Sequence, residues 1–178
     1  QEFNLFANQA QMDLFEQYFY DINQFGRMHG NDTEFSDMLN ILNEKINIFE
    51  VTAAMTHAGA GLWTAPSNLY RIGTIIYNNI EVERINKNEF LYINAAPLTK
   101  PTDARPVFVA DSTGYKVYGT ALLTSGVTCN YIKRPATAQW AGTLVDGSSL
   151  QSSANSVDFE LHDSEETELV MKILELAG

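Results

Sequence analysis

The chain opens with Gln1-Glu2-Phe3-Asn4-Leu5-Phe6-Ala7-Asn8-Gln9-Ala10-Gln11-Met12-Asp13-Leu14-Phe15-Glu16-Gln17-Tyr18-Phe19-Tyr20. Apolar residues recur here every three or four positions, which is the spacing of one helical face: Phe3, Phe6, Ala10 and Leu14. This period predicts an amphipathic helix over residues 1–20. Further apolar residues widen the face, namely Leu5, Met12, Phe15 and Phe19. We therefore expect the helix to be buried against more than one neighbour.

Two further segments have helical periodicity. A second helix is predicted to begin with Asp32 or Thr33 as its N-cap. Its apolar residues are Phe35, Met38, Leu39, Leu42 and Ile46. A closing helix is predicted from Asp163 or Ser164 to Ala177, with acidic residues in its first turns, where the helix dipole favours them. Its predicted apolar face consists of Leu169, Val170, Ile173, Leu174 and Ala177. Residues 21–32 have two glycines and no period, which predicts a loop.

Near Asn47 the apolar period changes from 3.6 to 2, and short strands are predicted from there onward. They cover residues 51–55, 62–64, 69–77, 80–85, 107–110, 115–120 and 127–134. We expect the strand over 127–134 to pair with the hairpin that turns at 111–114. Further turns are predicted at 57–61, 65–67 and 145–148, one or two helical turns at 87–93, and a mobile serine-rich stretch at 148–156.

These elements predict an α+β fold. The helical part, about 1–46 and 163–178, is built from both chain ends. The insertion between them, about 47–160, forms an antiparallel β-sheet or a small β-sandwich. We expect the three helices to pack together, and the length of 178 residues favours a single domain.

The composition restricts the function. The chain has 22 acidic and 11 basic residues, a net charge of −11. Such a surface repels phosphate, which argues against sequence-specific nucleic-acid binding but allows DNA to pass nearby. The single cysteine, Cys129, cannot form an internal disulfide and is expected to be a small buried residue.

Targeting signals are not evident in the sequence. No apolar run approaches the roughly 20 residues of a membrane span, and we find no signal peptide. Because the chain starts without methionine, inside a predicted helix, and stops at Ala177-Gly178, we expect both ends to be trimmed.

Each motif that could carry chemistry has a simpler structural interpretation. Asp111-Ser112-Thr113-Gly114 is similar to the Asp-Thr-Gly turn of aspartic proteases, but the spacing differs by one residue and there is no second copy. A hairpin turn is favoured there. Ala58-Gly59-Ala60-Gly61 lacks the third glycine of a dinucleotide site and the lysine of a phosphate loop. Glu81 and Glu83 alternate along a predicted strand and could act as paired carboxylates, but a solvated strand edge is favoured, because charges on an edge also block aggregation.

No metal or cofactor site is predicted. The three histidines, His29, His57 and His162, are far apart and lack metal-ligand spacing with acidic residues or Cys129. The acidic residues at 160–168 favour helix capping over calcium binding, because the spacing of a calcium loop is absent. The sequence therefore predicts no catalytic residue, no metal ligand and no cofactor.

Aromatic residues beside turns and strand ends are the best candidates for a contact surface: Trp63, Tyr70, Tyr115, Tyr118 and Trp140. About half of such residues are expected to be core. The others could form an interface, since Trp and Tyr are enriched there.

Several segments resemble a structural protein of crAss-like and related tailed bacteriophages. The opening helix looks like the start of that protein, and so does Ala65-Pro66-Ser67-Asn68-Leu69-Tyr70-Arg71-Ile72. Tyr131-Ile132-Lys133-Arg134-Pro135 followed by Trp140 is similar to its Tyr-x-Arg-Arg-Pro…Trp block, with Lys133 at a basic position. Val157-Asp158-Phe159-Glu160 and residues 166–177 look like its C-terminal block, whereas 79–125 match weakly.

The resemblance implies a non-catalytic subunit of a ring in the virion neck, similar in layout to head–tail adaptor proteins. Family members are made in the bacterial cytoplasm, bind below the portal protein and continue the DNA channel towards the tail. We expect a homo-oligomeric ring, a dodecamer matching the portal, with neighbouring neck and tail rings as partners and no membrane. The expected interface residues are Phe3, Phe6, Phe15, Phe19, Trp63, Pro66, Tyr70, Tyr115, Tyr118 and Trp140. At Trp63, expected to be exposed, replacement by alanine should weaken docking more than folding.

Two other function classes remain open. A glycan-binding β-rich module outside the cell would be monomeric and would expose coplanar aromatic rings flanked by Asp or Asn. A hydrolase using Glu81, Glu83 or Asp111 would need a concave pocket in which the pKa of one carboxyl group is raised.

Overall fold

Four α-helices and eleven β-strands form the described part of the chain, in a computed structural model that covers residues 2–27, 33–145, 148–151 and 155–178. The helices are α1 (Glu2–Arg27), α2 (Thr33–Asn47), α3 (Lys87–Ala95) and α4 (Glu166–Ala177), and a 3-10 helix at Asp163–Glu165 leads into α4. The strands are β1 (Glu50–Ala54), β2 (Thr56–Gly59), β3 (Leu62–Thr64), β4 (Leu69–Tyr77), β5 (Ile80–Glu81), β6 (Glu83–Arg84), β7 (Val107–Asp111), β8 (Gly114–Tyr118), β9 (Val127–Lys133), β10 (Gly142–Val145) and β11 (Ser148–Gln151). The fold class is α+β, with helices at both ends, as predicted.

The chain divides into two compact units: Gln1–Phe49 together with Pro135–Gly178, and Glu50–Arg134. We call them the helical unit and the β unit. Residues 135–160, assigned from the sequence to the β-rich insertion, belong to the helical unit, where they include the hairpin of β10 and β11. The prediction of a single domain stays a prediction.

Some predicted features lie outside the described residues. They are the N-cap at Asp32, the loop residues 28–32, the turn residues Asp146 and Gly147, and the serine-rich residues 152–154. The serine-rich stretch begins as a strand, since β11 occupies 148–151.

One core cluster of the helical unit lies between α1 and α4. Ala10 and Leu14 of α1 are buried against Leu169 of α4. Three half-buried residues complete this cluster: Leu161, Ile173 and Leu176. The α4 residues in it recur at the spacing of one helical face, so α4 uses a single stripe to pack on α1.

One lysine connects all three long helices. Lys45 of α2 forms an ion pair with buried Glu165, immediately before α4. Its ammonium group also lies 5.7 Å from the ring centroid of Tyr18 in α1. Burial, with the Glu165 and Glu168 carboxylates as a further cause, raises the pKa of Tyr18, so its hydroxyl stays protonated beside them. The predicted packing of the opening, second and closing helices is confirmed.

The first helix is longer than predicted. It continues to Arg27, so the predicted loop beginning at residue 21 is wrong. Side chains one turn apart support the extra turns, since Asn23 donates to the Phe19 carbonyl and Gln24 to the Tyr20 hydroxyl. These local bonds offset the cost of Gly26, about 1 kcal/mol inside a helix.

Three amide side chains on α1 hold an extended segment against the helix. Asn4 exchanges two hydrogen bonds with the backbone of Trp140, donating to its carbonyl at 3.1 Å and accepting from its N–H at 2.9 Å. Asn8 donates to the carbonyl of Ala138 at 2.8 Å, and Gln11 to that of Ala136 at 2.7 Å. The bonded carbonyls alternate, as on one edge of a strand, so the helix provides partners that a neighbouring strand would otherwise provide. We call this set of bonds the amide ladder.

The β unit contains two sheets. One has the strand order β1-β9-β4-β5, and the other is β2-β3-β8-β7-β6 with β6 and β7 parallel. The prediction that the 127–134 strand pairs with the hairpin is wrong, because β9 lies between β1 and β4 while the hairpin strand β8 pairs with β3. Alternating burial along β9 is compatible with any partner of the same pattern, so the sequence could not select one.

Two chain segments pass from one sheet to the other at a single buried residue. Met55 separates β1 from β2, and Val82 separates β5 from β6. Strands that bend in this way form the corners of closely packed sheets. Both side chains join the core of the unit: Met55, Trp63, Ile75, Val82, Phe108, Val117, Leu123, Val127, Cys129 and Tyr131. The single strand predicted for 80–85 is therefore two short strands in different sheets.

Local sequence explains the turns. Asn78 and Asn79 have φ of 48° and 62°, the left-handed pair that a two-residue hairpin turn requires, and they connect β4 to β5. The hairpin predicted around 111–114 is confirmed as β7 and β8. The turn predicted at 57–61 is mostly wrong, because β2 continues to Gly59 and only Ala60 and Gly61 turn.

Replacing Gln11 with alanine tests the amide ladder. Gln11 is 1% exposed, and besides its bond to Ala136 it accepts from the N–H of Glu160 at 2.9 Å. We expect the free energy of unfolding of the helical unit to fall by about 1–3 kcal/mol, because two backbone groups lose their partner. Urea unfolding followed by far-ultraviolet circular dichroism measures this.

The matched control is Gln17→Ala, since Gln17 reaches Asp21 on the exposed side of α1. It should change the free energy of unfolding by less than about 0.5 kcal/mol. Equal losses in the two variants would contradict a structural role for Gln11.

Candidate assembly surfaces

Two of the predicted interface residues belong to the core. Phe15 is fully buried and meets Phe19 and Phe49 edge to face, with ring centroids 5.1 and 4.9 Å apart. Trp63 is 3% exposed and lies in the centre of the β unit core. The expectation that Trp63 is an exposed anchor is therefore wrong, and its first role is packing.

Five others are half-buried: Phe6, Phe19, Pro66, Tyr70 and Tyr118. Tyr118 stacks on Phe90 of α3, with ring centroids 4.1 Å apart. Tyr115 is also half-buried and meets Phe108 edge to face at 6.0 Å. Burial raises the pKa of both Tyr115 and Tyr118. These tyrosines thus stabilise the β unit from its rim.

The remaining two predicted residues are exposed and lie beside the same cleft. Phe3 is 48% and Trp140 45% exposed, and the cleft between α1 and the 138–140 segment has a volume of about 130 Å³. Val157 and Phe159 border it as well. The cleft is smaller than the roughly 300–1,000 Å³ of a typical small-molecule site. It suits one inserted side chain better than a substrate.

The outer face of α4 is an apolar surface that the sequence analysis missed. Val170, Met171 and Leu174 are 51%, 59% and 65% exposed. The sequence assigned Val170, Leu174 and Ala177 to one apolar face with Leu169 and Ile173. That single face is wrong, because these three residues are exposed and α4 packs on α1 through Leu169, Ile173 and Leu176. We call Val170, Met171 and Leu174 the α4 face.

A second apolar surface, also missed, lies on the β unit. Leu91 and Tyr92 of α3 are 67% and 78% exposed, and Leu98 in the turn after α3 is 97% exposed. The inner side of α3 packs through Phe90 and Ile93 on the second sheet. We call Leu91, Tyr92 and Leu98 the α3 patch. Single exposed leucines are common on protein surfaces, whereas clustered exposed apolar side chains mark interaction sites.

Charge is distributed very unequally between the two units. The helical unit has 16 acidic and 3 basic residues, a net charge of −13, whereas the β unit has 6 acidic and 8 basic residues, a net charge of +2. The sum is the −11 of the whole chain. The overall charge thus conceals an acidic half and a weakly basic half.

The carboxylates considered for catalysis are in separate structural settings. Glu81 and Glu83 are both exposed, and they pair with different sheets on either side of buried Val82. Asp111 accepts from the Thr113 hydroxyl and N–H at the hairpin turn, and these bonds lower the pKa of its carboxyl group. A general acid needs the opposite shift.

The histidines and the cysteine have structural surroundings. His57 lies against Trp63 with ring centroids 5.0 Å apart, and His162 accepts from the N–H of Ser164 at the start of the 3-10 helix. His29 lies outside the described residues. Burial raises the pKa of Cys129 in the β unit core, which disfavours the reactive thiolate. Among the described residues, no group of three or more His, Cys, Asp or Glu could hold a metal ion.

Comparison with known proteins leaves the function open, since no protein-family model and no curated protein sequence matches the chain. Within residues 2–27, 33–145, 148–151 and 155–178, no helix is both long and apolar enough to cross a membrane. A functional proposal therefore depends on the exposed surfaces described above and on the resemblance of individual segments.

The two tryptophans should behave differently when replaced by alanine. Trp63→Ala is expected to lower the free energy of unfolding of the β unit by about 3–5 kcal/mol, because it leaves a cavity in the core. Trp140→Ala removes a half-exposed ring, while its backbone bonds to Asn4 remain, and should change stability by about 1 kcal/mol or less. Thermal unfolding of both variants measures this difference. A Trp63→Ala protein as stable as Trp140→Ala would contradict the buried position of Trp63.

Proposed function

We propose that this chain is a non-enzymatic structural subunit of a ring in the head-to-tail connector, or neck, of a tailed bacteriophage. In this role it assembles with copies of itself, contacts the portal protein and the neighbouring neck or tail rings, and is a component of the virion. DNA passes through the ring without sequence-specific contacts. No cofactor and no membrane take part.

The observation that carries this proposal is an unpartnered apolar surface on each unit. The α4 face and the α3 patch together expose six large apolar side chains, each by more than half. A monomeric protein gains nothing from such surfaces and risks aggregation through them. A ring subunit uses two of them, one for each neighbour.

Two further properties support a neck ring. The opening helix and Trp140 belong to segments that resemble phage neck proteins, and the amide ladder joins this helix to residues 136–140. The net charge of −11 suits a channel wall past which DNA must slide.

The alternatives have less support. A glycan-binding module needs exposed coplanar aromatic rings on its β part, but Trp63 is core and Tyr115 and Tyr118 pack against other rings. A hydrolase using Glu81, Glu83 or Asp111 needs a carboxyl group whose pKa is raised in a concave pocket. Glu81 and Glu83 are exposed and pair with different sheets, and the hydrogen bonds at the hairpin turn lower the pKa of Asp111.

The oligomeric state tests the proposed function. We expect the purified chain, alone at high concentration or mixed with the portal protein of a crAss-like phage, to form a closed ring. Native mass spectrometry gives its stoichiometry, and negative-stain electron microscopy shows its closure. A chain that stays monomeric at every concentration and in the presence of the portal, or that lies outside any ring in images of a phage neck, would overturn the proposal.

The non-enzymatic part of the proposal has its own test. The double variant Glu81→Gln plus Glu83→Gln should assemble as the wild type does, because both carboxylates are exposed strand residues. The same protein should show no difference from the wild type in a broad hydrolase screen. Turnover by the wild type that disappears in the variant would identify an enzyme instead.

A further inference from the structure

The exposed apolar surfaces of the two units have flanking charges of opposite sign. Along α4, Glu166 lies one turn before Val170, and Glu175 lies one turn after Met171. Both carboxylates are exposed. Residues 163–177 contain five acidic residues and one basic residue. The α4 face is therefore an apolar stripe within an acidic surround.

The α3 patch has the complementary character. Lys87 lies one turn before Leu91, and its side chain is 67% exposed although its ammonium group lies 3.9 Å from the Asp111 carboxylate. Lys100 follows Leu98 and is exposed. Residues 84–105 contain four basic and two acidic residues. This patch is therefore apolar within a mostly basic surround.

We propose that the α4 face of one copy binds the α3 patch of a second copy, so that subunits join head to tail. This inference rests on the self-assembly in the proposed function and names the surfaces that carry it. Apolar contact provides the affinity, and opposite charge selects the pairing. Because the two surfaces differ, each copy keeps one of each for its next neighbour. Such a head-to-tail contact gives a closed ring when the rotation between copies closes, and an open filament when it does not.

Charge also disfavours the simplest competing arrangement. A symmetric dimer through two α4 faces would bring together two helical units of −13 each. Like charges across an interface are strongly unfavourable. A head-to-tail contact instead places the −13 unit against the +2 unit of the next copy.

Two matched substitutions test the α4 face. Leu174→Asp and Leu5→Asp each add one negative charge at an exposed helical leucine, since Leu174 is 65% and Leu5 66% exposed. We expect Leu174→Asp to weaken self-association at least about tenfold and Leu5→Asp to leave it close to the wild type. Leu91→Asp on the α3 patch should act like Leu174→Asp. Sedimentation velocity measures association, and circular dichroism confirms that all three variants fold.

Cross-linking between separately purified chains identifies the paired surfaces. A tagged Leu174→Cys chain mixed with an untagged Leu91→Cys chain should give a covalent heterodimer with a short bismaleimide. Wild-type chains, whose Cys129 is buried, provide the background. If Leu174→Cys chains link to one another but form no heterodimer with Leu91→Cys chains, the contact is symmetric and the proposal is overturned. The proposal is also overturned if the mixture gives no heterodimer while the reagent links positions 174 and 91 within one chain that carries both substitutions.

The salt dependence provides a third readout. Screening weakens attraction between opposite charges and relieves repulsion between like charges. Association of the wild type should therefore weaken as sodium chloride is raised, and strengthening would favour the symmetric contact. If rings form and incorporate the Leu174→Asp chain as readily as the Leu5→Asp chain, the head-to-tail contact is overturned while the proposed ring function stands. If the wild type itself forms no ring under any condition, both fail.

Discussion

The helical unit depends on the amide ladder, because its two parts come from opposite ends of the chain. Asn4, Asn8 and Gln11 give the returning segment 136–140 the hydrogen bonds that an extended backbone requires. Without them its carbonyls would lie against a helix with no partner, at a cost of about 1–3 kcal/mol for each buried group. The ladder is also linked to Glu160. The N–H of Glu160 donates to Gln11, and its carboxylate accepts from the N–H of Ala136 at 2.9 Å. From there the chain can place α4 on the apolar stripe of α1.

Periodicity predicted the helices, but it could not predict what binds them together. The apolar stripe of α1 identified Ala10 and Leu14 as core, and both are buried. The neighbouring amides at 4, 8 and 11 also follow a helical period, and this signal was present in the sequence. Amides on a helix are usually solvated, however, and only the returning segment makes them structural. The partner of β9 is equally inaccessible to local patterns, because strand pairing is set by contacts between distant residues.

Residue type alone also could not tell which apolar side chains are buried and which form a surface. Residue type suggested the aromatics, yet Phe15 and Trp63 are core while Phe3 and Trp140 are exposed. An aromatic ring suits a core and an interface equally well, so its identity alone does not separate them. In α4, five apolar residues were assigned to a single face, although a stripe against one partner helix accommodates only Leu169, Ile173 and Leu176. Val170 and Leu174 remain outside because α1 covers one side of α4 and nothing in the described unit covers the other.

Charge then determines which exposed surfaces can meet. In the helical unit, Lys45 forms an ion pair with Glu165, and Lys172 lies 4.0 Å from Asp13. Two of the three basic residues of this unit are therefore paired within it. The remaining acidic groups repel one another, and a surface of weakly positive charge reduces that repulsion when it approaches. The β unit carries such a surface around α3. The uneven charge, the apolar α4 face and the α3 patch therefore favour the same arrangement, in which the α4 face of one copy meets the α3 patch of the next.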